Sequence, residues 1–174
     1  MAKVAVFIDH SNMFNSCVNV QEKYDFELIS KFVRTLGIPV LGKVYLNANI
    51  KGGDAGLVDR LFYKYFESGY DPVYAPEYIY LEHSKSLSDS MMTCDIIQTA
   101  CEKSFVDTFV IASGDKDFLP VVRRLVELNK SVIVLGIGTS TAQPLINECD
   151  RLNQQFVDYL SMREEFEEAE EEEW

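Results

Sequence analysis

Lys3-Val4-Ala5-Val6-Phe7-Ile8-Asp9 and Thr108-Phe109-Val110-Ile111-Ala112-Ser113-Gly114-Asp115 share one pattern, a short unbroken apolar run that closes in an aspartate. A run apolar at every position reads as a strand covered on both faces, and such strands belong to parallel sheets flanked by helices. Ser131–Gly136 (SVIVLG) and Gly42–Asn47 (GKVYLN) read as further strands, and Phe156–Leu160 as a last one. Between them, helical spacing is seen over Glu27–Leu36, stopped by Gly37 and Pro39, and over Ala55–Ser68, Asp89–Lys103, Phe118–Leu128 and Thr141–Glu148. Pro72–Leu81 is aromatic and reads as extended; Ser84–Ser88 reads as a polar loop. The alternation predicts an α/β fold, three layers with a mostly parallel central sheet.

The 174 residues suit one ordinary domain, and at 47% apolar content the chain can bury a true core. The net charge of −12 argues against a polyanionic partner until it is located. Residues 164–174 hold eight Glu and no Lys or Arg, leaving 20 acidic against 16 basic residues on 1–163. The organisation is thus a domain over 1–163 followed by an acidic tail over 164–174, read as a solvated end, helical or disordered. The other reading of the tail is a mimic of a nucleic-acid backbone that covers a basic groove. Binding follows local potential, so a body near −4 can still present a basic face. No apolar run approaches a membrane span, and no cleavable leader pattern is seen, so the expectation is a cytoplasmic protein without a membrane partner. Cys17, Cys94, Cys101 and Cys149 lack metal-ligand spacing with His10 or His83 and are expected to be reduced; Cys94 and Cys101 are placed on a buried helix side.

In open parallel sheets the working site lies beyond the carboxyl ends of the strands. Asp9 stands at one such end, and Asp115 and Asp117 at another. Asp89 and Asp95 lie on the helix that precedes the second strand. Carboxylates gathered at one edge repel unless a cation neutralises them, and hard oxygen donors favour Mg²⁺ or Mn²⁺. An ion held there activates water and stabilises charge on a phosphodiester. Alternatives stay open at single positions. Asp117 precedes Phe118-Leu119-Pro120 as a helix cap would, and Asp89 fits a cap too. Asp95, about 240° around the helix from Asp89, cannot face the same point from a straight helix.

FIDHSN (7–12), SDSMMTCD (88–95), SGDKDFLPVVRRL (113–125) and KSVIVLG (130–136) together resemble the NYN family, a branch of the PIN-like nucleases. The resemblance runs in order through residues 3–160. It implies a PIN-like fold and a Mg²⁺- or Mn²⁺-dependent endonuclease acting on RNA, with metal roles for Asp9, Asp89 and Asp115. Asp95 and Asp117 match further acidic positions, Asn12 a residue that holds the first carboxylate or the substrate, and Ser113 the small hydroxyl residue before Gly-Asp. Domains of this kind often pair, so a homodimer is an expected assembly. The chain departs from the pattern at Ser86, where the family often has Lys and where Lys85 is one place off, and at His10, commonly a small residue and read here as part of a loop.

Phosphates need a cationic path. Lys51, on a loop with Gly52-Gly53, and Lys85 are the leading candidates, followed by Lys43, Arg60, Lys64, Lys116, Arg123 and Arg124; Tyr78 and Tyr80 are candidates for stacking on bases. The resulting expectation is an endoribonuclease for single-stranded RNA, against a PIN-like domain that binds RNA or protein without cutting. A phosphatase of the haloacid-dehalogenase type ranks last, because Ser11 stands where that chemistry needs a second Asp.

Overall fold

The computed structural model describes residues 1–46, 55–80 and 83–172. Strand β1 (Ala2–Asp9) is followed by helices α1 (His10–Asn19) and α2 (Phe26–Leu36), then β2 (Gly37–Leu46), α3 (Ala55–Glu67) and β3 (Asp71–Tyr74). A hairpin of β4 (Glu77–Tyr80) and β5 (His83–Ser86) leads into α4 (Ser88–Glu102) and β6 (Thr108–Ala112). A 3₁₀ turn (Lys116–Phe118) opens α5 (Leu119–Glu127), and β7 (Ser131–Gly136), α6 (Gln143–Arg151), β8 (Gln155–Asp158) and α7 (Tyr159–Glu172) complete the chain.

Six strands form one sheet in the order β3-β2-β1-β6-β7-β8, and every pair in it is parallel. The chain builds outward from β1 to one edge and then returns to the other side of β1. The point where this order reverses, between β1 and β6, is where such sheets open a crevice at their carboxyl edge. Side chains alternate across the sheet as the strand period requires. Val4, Val6 and Ile8 pack with Met13 and Cys17 of α1, Ile29 and Val33 of α2, Tyr65 of α3, and Tyr159 and Met162 of α7. Ala5 and Phe7 face the other way, onto Met92 and Ile96 of α4, Val122 and Leu125 of α5, and Leu145 and Cys149 of α6. The three-layer α/β/α reading therefore holds. Asp9, two residues beyond Phe7, continues the α4 side of the sheet, and this parity decides which helix it meets.

Several local readings are corrected. The helix stop at Gly37 is directly the start of β2, five residues before the expected strand. A Cβ at Gly37 would collide with the Ala2 carbonyl, so glycine lets β2 close on β1 there. The extended aromatic stretch is two strands in different sheets, broken at Ala75-Pro76. The polar loop at 84–88 is in part β5, paired antiparallel with β4. A ladder is made by backbone groups, so polar residues can serve in a two-stranded hairpin.

Helix α1 was not legible, because Asn, Ser and His are weak helix formers and Asp9 supplies the cap. Helix α4 buries Met92, Ile96, Thr99 and Ala100, whereas Cys94 and Cys101 are exposed. Cys94 lies about 200° around the helix from Met92, so the cysteines mark its outer side. The last strand ends at Asp158, and α7 then runs without a break across residues 163 and 164. Phe166 packs on the core, and Arg163 donates to Glu22 at 2.8 Å and to the Lys23 carbonyl. Among the described residues no helix is long and apolar enough to cross a membrane.

Candidate metal centre at the reversal of strand order

Asp9 ends β1 and is 4% exposed, which is unusual for a carboxylate and demands partners. Its Oδ1 accepts the Asn12 backbone N–H at 3.1 Å, capping α1, and its Oδ2 accepts the Ser113 hydroxyl at 3.3 Å. Ser113 Oγ accepts in turn from the Asp115 backbone N–H. The Asn12 carboxamide oxygen accepts the Gly114 N–H at 2.8 Å, tying the end of β1 to the end of β6 across the middle of the sheet. A Cβ on Gly114 would come within 2.8 Å of Thr141 Oγ1, so the absence of a side chain lets the turn after β6 sit against the segment before α6.

Asp115 accepts the Asp117 N–H through Oδ1 at 2.9 Å, capping the 3₁₀ turn. This capping by Asp115 leaves the Asp117 side chain outside the cap role that its position before Leu119-Pro120 suggested. Asp89 is not a cap either. It stands in the first turn of α4, after Leu87, where the positive end of the helix dipole favours a carboxylate. Ser86, at the departure from the family pattern, accepts the Ser88 N–H and the two hydroxyls share a hydrogen bond; Ser88 Oγ then reaches Asp89.

One oxygen from each of Asp89, Asp115 and Asp117 can be chosen so that all lie within 4.8 Å of one another. Asp9 adjoins them. Burial, and the charges of Asp89 and Asp115, push its carboxyl up to about 7, against the pull of the Asn12 and Ser113 hydrogen bonds. Asp89 is also raised, by burial first and then by Asp115, against a hydrogen bond from Ser88; Asp117 raises it less, and a hydrogen bond with Asp9 opposes least. Among the described residues no basic side chain enters either balance. Among the described residues the cluster holds more negative charge than is compensated, and three converging oxygen donors, with Asp9 beside them, fit a divalent cation.

Asp95 goes elsewhere. About 9 Å further along α4, its Oδ2 accepts from Lys43 Nζ at 2.9 Å and Tyr45 OH at 2.6 Å, beside β2. Concavities of about 300 Å³ by Lys43 and Asp95, and of about 350 Å³ between α2 and the start of β2, lie away from the carboxylates. His10 is no loop residue: it opens α1, and its Nδ1 is 2.8 Å from Tyr65 OH. Lys51 lies outside the described residues. Lys85 stands on β5 opposite Tyr78, and Tyr80 is on the same strand β4 as Tyr78. Arg123 is bonded to Glu148 and Arg124 to Glu127; Lys116, within the acidic turn, is exposed, as are Arg60 and Lys64 on α3. Sequence reasoning missed the Lys43–Asp95–Tyr45 bridge, although the outward turn of Asp95 by about 240° from Asp89 was a signal for it.

The burial of Asp9 has a measurable cost. Its carboxyl moves from an ordinary 3.8 to about 7, so between those values the fold keeps a proton that the unfolded chain has released. Stability is therefore lost as pH rises from about 4 to about 7. His10 has the opposite sense: burial lowers it from 6.5 to about 4, and stability is lost as pH falls through that range. With EDTA present, the stability of Asp9→Asn relative to the parent should rise by about 1.4 kcal/mol per pH unit between 4 and 7, then level off. Denaturant titrations across that range measure it, and parallel profiles would refute the assignment.

The NYN domain matches residues 3–158 of the chain. An uncharacterized protein of Methanocaldococcus jannaschii is 29% identical over 142 residues, which are 80% of this chain and 50% of that protein. The chain thus spans about half the length of the curated relative it matches. The crystal structure of a Vibrio parahaemolyticus protein of unknown function superposes with a TM-score of 0.75 at 25% identity, covering 91% of this chain and 93% of that one. With the family match running from β1 through β8, the chain belongs to the NYN domain family of the PIN-like nuclease superfamily.

Proposed function

We propose that this chain is a Mg²⁺- or Mn²⁺-dependent endoribonuclease. The observation that carries the reading is the convergence of Asp89, Asp115 and Asp117 on one point beside the buried Asp9. These four residues would hold the ion. When bound, it supplies water activation and stabilises the charge that develops on the phosphodiester. Water adds to phosphorus and one bridging P–O bond breaks. The chain's own part is to hold the donors in place. Asn12 and Ser113 orient Asp9, Ser88 orients Asp89, and the capping bond of Asp115 fixes the turn that carries Asp117. Exposed Asp117 and Lys116 form the solvent rim, where Lys116 can meet a substrate phosphate.

Four free thiols fit a reducing compartment such as the cytoplasm. The residue that precedes the acidic tail is tied to the segment after α1. Helix α7 starts at the carboxyl edge of β8, and by Arg163 it has reached Glu22 and Lys23, beyond the far end of α1.

The test is incubation with labelled single-stranded RNA and the matching DNA under Mg²⁺, Mn²⁺ or EDTA. The expected result is cleavage of RNA that requires the metal and is lost in Asp115→Asn. Binding of RNA or of a protein without cleavage in any metal would replace this reading by that of a non-catalytic binding domain.

A further inference from the structure

Helix α1 carries no Asp, Glu, Lys or Arg in a chain of net charge −12. Its exposed side is Phe14, Asn15, Val18 and Asn19. This is no remote surface, for Asp9 caps the helix and Asn12 bonds the turn after β6. Phe14 lies five residues past Asp9, about 7.5 Å along the helix axis.

Phe14 is 47% exposed, yet its ring is held. It stacks on His10 with centroids 5.7 Å apart and planes 17° from parallel. His10 is fixed in turn by Tyr65 OH at 2.8 Å and by edge contacts with Tyr24 and Tyr65, each 5.6 Å away. An aromatic ring backed by a pinned neighbour loses little freedom when something stacks on its open side. The flanking residues include neutral amides, able to hydrogen-bond without repelling a phosphate backbone.

We infer that Phe14 is a stacking platform for an unpaired base of the nucleic-acid substrate, beside the phosphodiester held at the carboxylates. The inference rests on the nuclease reading above and adds a positioning residue to it. A base reaches this ring only when its π-face is free, so the platform selects single strands over duplex. Base–aromatic stacking removed by alanine corresponds to about 5- to 150-fold in affinity.

The experiment uses the full chain as parent, Phe14→Ala and Phe14→Trp. Phe14→Ala should raise the KM for labelled single-stranded RNA within that range, with the Mn²⁺-induced rise in melting temperature unchanged. Phe14→Trp should restore the KM, and its emission should be quenched by an oligonucleotide but not by an abasic one of equal length. The quench is measured against the parent, whose one tryptophan is Trp174. If parent and Phe14→Ala cleave with equal KM and the tryptophan does not respond to bases, the platform is refuted and the nuclease reading stands. If the parent neither binds nor cuts nucleic acid, both fall. If Phe14→Ala changes self-association and leaves RNA handling intact, the face belongs to a second copy, and the inference is overturned.

Discussion

Asp9→Asn should leave the fold intact while cleavage falls by orders of magnitude. The amide keeps the shape, and its oxygen can still accept from Asn12 or Ser113. It also removes a charge from a buried, crowded site, so without metal at neutral pH the variant should melt at or above the parent's temperature. Adding Mn²⁺ should reverse that order. An ion that binds only the folded chain at 100 times its Kd stabilises it by about 2.7 kcal/mol. For a chain of this size, that is about 5–10 °C. The parent should show this gain and the variant little of it. A variant that melts lower in every buffer, with an undiminished metal response, would make Asp9 a plain helix cap.

Tyr159→Ala should cause the largest loss of stability. Tyr159 is fully buried at the start of α7. Its hydroxyl donates to the Asp25 carbonyl at 2.9 Å and accepts the Asp25 N–H at 2.8 Å, fastening α7 to the beginning of α2. Truncating a buried aromatic side chain costs about 3–5 kcal/mol, or roughly 6–20 °C here. The lost hydroxyl also leaves the Asp25 backbone groups without that partner. Calorimetry of the variant measures it. A shift of only a degree or two would mean that α7 is an appendage, and that the acidic segment begins earlier than residue 164.

Strands β1, β6 and β7 were legible because both faces are covered, and their apolar runs are unbroken. Asp9, Asp89, Asp115 and Asp117 were legible because each follows a strand end or opens a helix at the carboxyl edge. The relations between side chains were not. Nothing in the order of residues shows that the Asn12 carboxamide meets the Gly114 N–H, since that bond joins positions 102 apart. Helix α1 was hidden by its composition, and α4 was rotated in the reading because cysteine counts as apolar yet can face solvent. The end of β8 was missed because Tyr159 and Leu160 continue the apolar run, although Asp158 accepts the Leu160 N–H and so opens α7 at that point.

The central pairing of β1 with β6 joins segments about a hundred residues apart, as the 104-residue separation of Asp9 and Ser113 records. Closing so long a loop is costly in entropy, and sheets built of distant parallel strands fold slowly. The full set of carboxylates draws on both halves of the chain, since Asp9 comes from the first strand and Asp89, Asp115 and Asp117 from α4 and the turn after the sixth. Nascent chains short of β6 therefore carry Asp9 and Asp89 without Asp115 and Asp117, and so without the centre. In a refolding experiment, Mn²⁺ affinity should arise together with the last cooperative phase and not with early helix formation. The same topology that places the site at the middle of the sheet thus delays its assembly until the fold is whole.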